Sequence, residues 1–115
     1  MSEVKRGEIW LVNLDPTIGH EIKKSRPSII LQNDLGNKYS PITIIAPITS
    51  QNTNKVYPIE VLLTKKNSSI EKESKTLLNQ IRAIDKRRLI KKLGKIDEET
   101  TIKVDEAIKI SLGLI

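Results

Sequence analysis

"GEIWLVNLDPTIGHEIKKSRPSIILQ", residues 7–32, reads as strand, turn, loop and strand, and it places the chain among β-rich folds. Ile9 and Leu11 alternate with Trp10, Val12 and Leu14, the two-residue period of a strand with at least one well-buried face. Asp15–Pro16 favours a turn and Gly19 tolerates positive φ, so residues 15–20 act as punctuation. The second strand, 27–32, is entered through Pro27, where a missing N–H does least harm. Between the strands the loop gathers the only histidine, His20, with Glu21, two lysines and Arg26, and stops them at the mouth of the second strand.

Further along, "ITIIAPI" (42–48) is β-branched and too short for a helix, and gives a third strand. "NDLGN" (33–37) reads as a loop. "VYPIEVLL" (56–63) reads as a fourth strand, which Pro58 pushes to an edge. Residues 64–75 read as a polar connector and "TLLNQIRAI" (76–84) as a fifth strand. Asp85 can cap a short helical turn over "KRRL", after which "IKKLGKI" (90–96) is either the end of that helix or a sixth strand. Asp97 caps a clearer helix: Glu98 and Glu99 occupy its first turn, and Val104, Ala107, Ile108, Ser111 and Leu112 share one face. Gly113 ends it. The sum is an α+β plan of five to six short strands, a small barrel or strongly bent sheet, followed by a C-terminal helix.

A chain of 115 residues matches one domain, 1–115, with one modest core. It has no Cys and no Phe, so base stacking would rest on Trp10, Tyr39 and Tyr57. Without Cys there are no disulfides, thiolate nucleophiles or zinc knuckles. No signal peptide opens the chain and no apolar run reaches the roughly 18–20 residues of a membrane span, so a cytoplasmic protein is expected. The net charge of +6 suits a polyanion, most often nucleic acid; the competing reading is lysine used simply for solubility. From Arg82 to Lys95 seven basic residues face one acidic residue, Asp85.

His20 and Glu21 alone make a poor metal site, and no metal or other cofactor is expected. No G-x-S-x-G elbow, P-loop or dinucleotide fingerprint is present. Arg26 and "PITSQN" (47–52) remain, each where a strand meets a loop, together with "NQIRAID" (79–85). A surface charge, ordinary turn chemistry and a strand with a polar outer face are the competing readings of these three.

"KRGEIWLVNLDPTIGHEIKKSRPSIIL" resembles the opening of the MazF/PemK family of toxins, "IIAPITS" its third-strand signature, and "LLNQIRAIDKRRLIKKLGKIDEE" its later strand, turn and terminal helix start. The resemblance runs in order over nearly the whole chain. It implies an SH3-like barrel, a homodimer, and a sequence-specific, ribosome-independent endoribonuclease held inactive by a cognate MazE-like antitoxin. It implies catalytic roles for Arg26 and Thr49, with single-stranded RNA contacted by Lys24, Ser50, Gln51, Asn79 and Gln80. Glu21 and His20 are the candidate bases, Glu21 slightly favoured because the family motif keeps Glu there more regularly. The Kid branch carries an Arg-x-Asp pair where this chain has Leu77 and Asn79, so that acid–base arrangement is absent.

Cleavage by the substrate's own 2′-OH fits these residues, because a guanidinium grips phosphate oxygens with fixed donors. It would leave 2′,3′-cyclic phosphate and 5′-OH ends. A CcdB-type gyrase poison and a non-catalytic RNA-binding barrel are the alternatives. The first acts through a terminal Trp-Gly-Ile, whereas this chain ends "SLGLI".

Overall fold

Seven antiparallel strands and three helices make up the computed structural model, which describes residues 3–21 and 24–115. β1 (Glu8–Asn13) lies between β2 (Ser25–Ile30) and β7 (Leu89–Lys95). β2 pairs on its far side with β3 (Ile42–Thr49). The remaining edge of β3 is shared: its first half takes β6 (Arg82–Asp85), and its end takes β5 (Ser74–Leu77), which in turn pairs with β4 (Glu60–Leu63). The plan is α+β with a C-terminal helix, as expected. The sheet does not close into a barrel, since β4 and β7 are its two ends.

Both faces of the sheet are buried. Ile9, Ile29, Ala46 and Ile48 point to one core, which Val61, Leu63 and Leu78 complete and which the helix α3 (Glu98–Ser111) covers with Val104 and Ala107. The alternate residues Trp10, Val12, Leu14, Ile30 and Ile45 point to the other, joined by Val4 and Ile84. Period-two alternation thus feeds two small cores from the same strands.

Several segments differ from their sequence reading. Residues 33–37 are not a loop: α1 (Asp34–Tyr39) starts there, and the Asn33 side chain accepts the Gly36 N–H at 2.8 Å. Asn and Asp serve turns and N-caps alike, so composition did not separate the two. The connector 64–75 contains α2 (Lys65–Ser68), opened by a capping box between Thr64 and Asn67, and the first residues of β5. The segment read as one fifth strand is two, because the chain leaves β3 at Leu78–Gln80 before rejoining it as β6. The Gln80 N–H donates to the Leu77 carbonyl at 3.1 Å, and the Leu78 N–H to Ile59 at 3.0 Å. Seven strands rather than five or six result.

Strand β4 is shorter than 56–63 but does lie at an edge, as Pro58 implied. Asp85 caps a single 3-10 turn, Lys86–Arg88, and the ambiguous 90–96 is strand, because pairing with β1 satisfies its backbone. In α3, Asp97 caps by accepting the Thr100 N–H at 2.8 Å. Leu112, expected on the buried face, is exposed, since it is already the C-cap; Gly113 follows at φ 71°.

Candidate active site

Arg26 stands second in β2 and Thr49 last in β3. Ser28 faces Pro47 across the ladder, so continuing that antiparallel register two residues brings Arg26 beside Thr49 on the same face. Thr49 in turn faces Lys75 of β5, and Lys75 lies one diagonal step from Glu60 of β4. Four strands therefore contribute a row of polar side chains to one surface. There they line a cleft of about 550 Å³ with His20, Gln51, Asn52, Leu77, Asn79 and Gln80.

Each sequence candidate can be placed against this cleft. Arg26 and Thr49 are half-buried in it, and the Thr49 hydroxyl oxygen accepts the Gln51 N–H at 3.1 Å. His20, Gln51, Asn79 and Gln80 line it too. Glu21 instead lines a neighbouring cavity of about 210 Å³, with Asn79 and Gln80 shared between the two. Its carboxylate accepts the Ile18 N–H, and its own N–H donates to the Ile18 carbonyl, so Glu21 closes its own turn. Lys24 sits at φ 67°, its backbone tied to Asp15 and Leu14, and is not among the described lining residues. Ser50 is half-buried at the start of the loop and is not among them either.

Sequence reading missed Glu60 and Lys75, and reached Asn52 only as the last residue of the 47–52 cluster, without giving it a role. Lys75 was placed at the end of a solvated connector, yet it is 5% exposed and its ammonium meets the Glu60 carboxylate at 2.9 Å. Only the strand register, which pairs it with Thr49, could have drawn it inward. Asn79 and Gln80 reach the cleft because the chain breaks between β5 and β6 and turns them outward there. The guanidinium of Arg82 is spent on the Leu14 carbonyl at 3.1 Å, bracing β6 against the end of β1. Among the described residues, no three His, Cys, Asp or Glu side chains gather where they could hold a metal ion.

A guanidinium, a hydroxyl, an imidazole and four side-chain amides around an open cleft can grip a phosphodiester and hydrogen-bond base edges. Comparison with known proteins points the same way. Residues 5–112 match the family model described as PemK-like, MazF-like toxin of type II toxin-antitoxin system. The chain is 45% identical over 112 residues to Endoribonuclease EndoA of Bacillus subtilis, covering 97% of each protein. Among solved structures it resembles MazF from Deinococcus radiodurans (TM-score 0.83, 24% identity, 98% and 99% of the two chains). It also resembles an endoribonuclease in complex with its cognate antitoxin from Mycobacterial species (TM-score 0.80, 19% identity, 97% of each chain), where the likeness is one of fold. With the family model spanning nearly its full length and a relative of that identity beside it, the chain belongs to the PemK-like, MazF-like toxins of type II toxin–antitoxin systems.

Proposed function

We propose that the chain cuts single-stranded RNA in this cleft by attack of the substrate's 2′-OH. It is an endoribonuclease toxin of its family. The observation that carries the mechanism is the convergence of Arg26 and Thr49, 23 positions apart in sequence, on one cleft floor walled by amides.

In the reaction the 2′-oxygen bonds to phosphorus while the bond from phosphorus to the 5′-oxygen breaks. The 2′-OH proton passes to a base, and the departing 5′-oxygen takes up a proton. Arg26 supplies fixed, permanently charged donors to the phosphate oxygens as charge grows on them. The Thr49 hydroxyl already accepts from Gln51, which orients it and leaves its O–H able to donate to the phosphate or to align the 2′-OH. His20 lines the cleft whereas Glu21 closes a turn beside it, so His20 is the better placed base. Gln51, Asn79 and Gln80 offer amides to the exposed base edges of an unpaired strand.

The toxin acts as a homodimer in the cytoplasm, where messenger RNA is met, and is neutralised by a cognate antitoxin. The antitoxin complex among its structural neighbours and the family itself support the partner. Among the described residues no helix is long and apolar enough to cross a membrane. The dimer would show in light scattering as twice the chain mass.

The test is the chemistry of the cut. A long transcript incubated with the protein in excess EDTA should yield fragments whose 5′ ends label directly with polynucleotide kinase, without phosphatase. Fragments that need phosphatase first, or cleavage that stops with EDTA, would mean water-driven, metal-assisted hydrolysis. No fragments at all would favour the gyrase-poison or non-catalytic alternatives.

A further inference from the structure

Lysine is among the residues least often buried without a partner, so the surroundings of Lys75 call for a physical account. Its Nζ donates to Glu60 Oε1 at 2.9 Å and to the Lys55 carbonyl at 3.0 Å, and the paired side chains are 6% and 11% exposed. The same Glu60 Oε1 accepts the Tyr57 N–H at 3.0 Å, while the Glu60 N–H donates to the Tyr57 carbonyl at 2.8 Å. The Tyr57 ring lies 5.8 Å from the Lys75 ammonium and 5.1 Å from that of Lys55. Two buried charges thus hold the backbone at Lys55 and Tyr57.

The segment they hold begins at Thr49. The Gln51 N–H reaches back to the Thr49 hydroxyl, Asn52 takes φ 54°, and the Lys55 N–H closes a turn on the Asn52 carbonyl at 3.3 Å. Lys75 faces Thr49 across the β3–β5 ladder. One residue therefore registers both the near end of this loop and its far end. A buried ion pair rarely adds net stability over an apolar pair of similar volume. What an apolar pair cannot do is bond the Lys55 carbonyl and the Tyr57 N–H.

We infer that Lys75 and Glu60 are positioning residues that fix the 50–59 loop, so that Gln51 and Asn52 face the RNA lying over Arg26 and Thr49. The inference rests on the reading that RNA occupies this cleft. Neither residue needs to touch the reacting atoms. Their effect should appear in substrate binding rather than in the chemical step.

The experiment compares the unaltered protein with Lys75→Met, Lys75→Arg and the double variant Glu60→Gln with Lys75→Met. Melting temperature, KM and kcat on a short RNA, and the rate of trypsin cleavage after Lys55 are read for each. Lys75→Met strands a buried carboxylate and should lower the melting temperature; the double variant removes both charges and should recover it. KM should nonetheless stay raised about tenfold in the double variant, the scale of a lost hydrogen-bonded contact, with kcat within about twofold. Trypsin should cut after Lys55 faster than in the unaltered protein. Lys75→Arg, which keeps charge and donors, should restore most of the KM.

A double variant with unaltered KM and unaltered resistance at Lys55 would overturn the inference, leaving the pair a structural ornament of the core. A fall in kcat at constant KM would overturn it in the other direction, by placing the pair in the chemistry. If the double variant does not fold, Glu60→Gln alone is read instead: it leaves the buried Lys75 ammonium without its counter-charge and should raise KM and speed cleavage after Lys55, and unchanged values of both would overturn the inference. If the unaltered protein leaves RNA intact, the reading of the cleft fails, and the trypsin arm alone decides whether the pair anchors the loop.

Discussion

Truncating Arg26 removes the guanidinium, with its fixed charged donors, from the cleft, so Arg26→Ala should lower cleavage at least about a hundredfold. Thr49→Ala should do the same, because the hydroxyl both orients on Gln51 and faces the cleft. Neither side chain belongs to either core, so melting temperatures should barely move. Steady-state cleavage beside thermal melts checks both halves, and a variant of either residue that cuts at the normal rate would remove it from the mechanism. These two residues were legible in sequence because each lies near a strand end inside a segment that carries a family motif. Lys75 and Glu60 were not, because a Lys at the end of a polar connector, or a lone Glu in an edge strand, looks solvated until a strand partner buries it.

At the scale of elements, the gap between the two sheet ends is spanned by α2 at the point where it packs on β7. The Asp97 N–H, just past β7, donates to the Asn67 carbonyl at 3.0 Å. Gly94 lies so close beneath α2 that a Cβ there would stand 2.4 Å from the Ser68 carbonyl oxygen. That neighbour is backbone and cannot swing aside. Gly94→Ala should therefore destabilise by about 1–3 kcal/mol, the range for overpacking, read as a lowered urea midpoint. An alanine variant as stable as the unaltered protein would show that α2 is free to lift away. Two lysines of β7 have a simpler role: Lys91 and Lys95 stud an exposed edge strand, a usual guard against pairing with other chains, whereas Lys92 pairs with Glu8. The β1 and β3 strands and the α3 helix were read correctly from period and caps, whereas β2 was read two residues late: it starts at Ser25, and Pro27 sits inside it rather than at its entry. The break between β5 and β6 was missed, because nothing local in 76–84 records that β3 has only one free edge to divide between two strands.

Over the whole molecule, four carboxylates set the response to acid: Glu8 and Asp34 tie distant segments, and Asp85 and Asp97 cap local turns. Burial pushes the Glu8 carboxyl up, but hydrogen bonds from Lys92, the Lys5 N–H and the Trp10 indole outweigh it and hold Glu8 below its ordinary 4.5. The Arg6 N–H lowers Asp34, Arg87 lowers Asp85, and Thr100 lowers Asp97. A carboxyl whose folded value lies below its unfolded one adds stability that is fully present above the unfolded value and lost as pH falls through the folded one. The urea midpoint should accordingly fall as pH drops below about 4.5, and the growing excess over a net charge of +6 should steepen the loss. Glu8→Gln should lower the midpoint at pH 7 and flatten part of that fall; an unchanged midpoint at pH 7 would discount the Glu8 network. By itself, the sequence determined the strand alternation, the capped terminal helix, the absence of thiol chemistry, and the family through motifs held in order. Each of those is written in spacing a few residues long. Tertiary structure alone decided that the sheet stays open, that His20 rather than Glu21 enters the cleft, and that Lys75 is buried beside Thr49. Those outcomes depend on which strand edges meet and what they exclude from water, and no local pattern encodes pairing between segments dozens of residues apart.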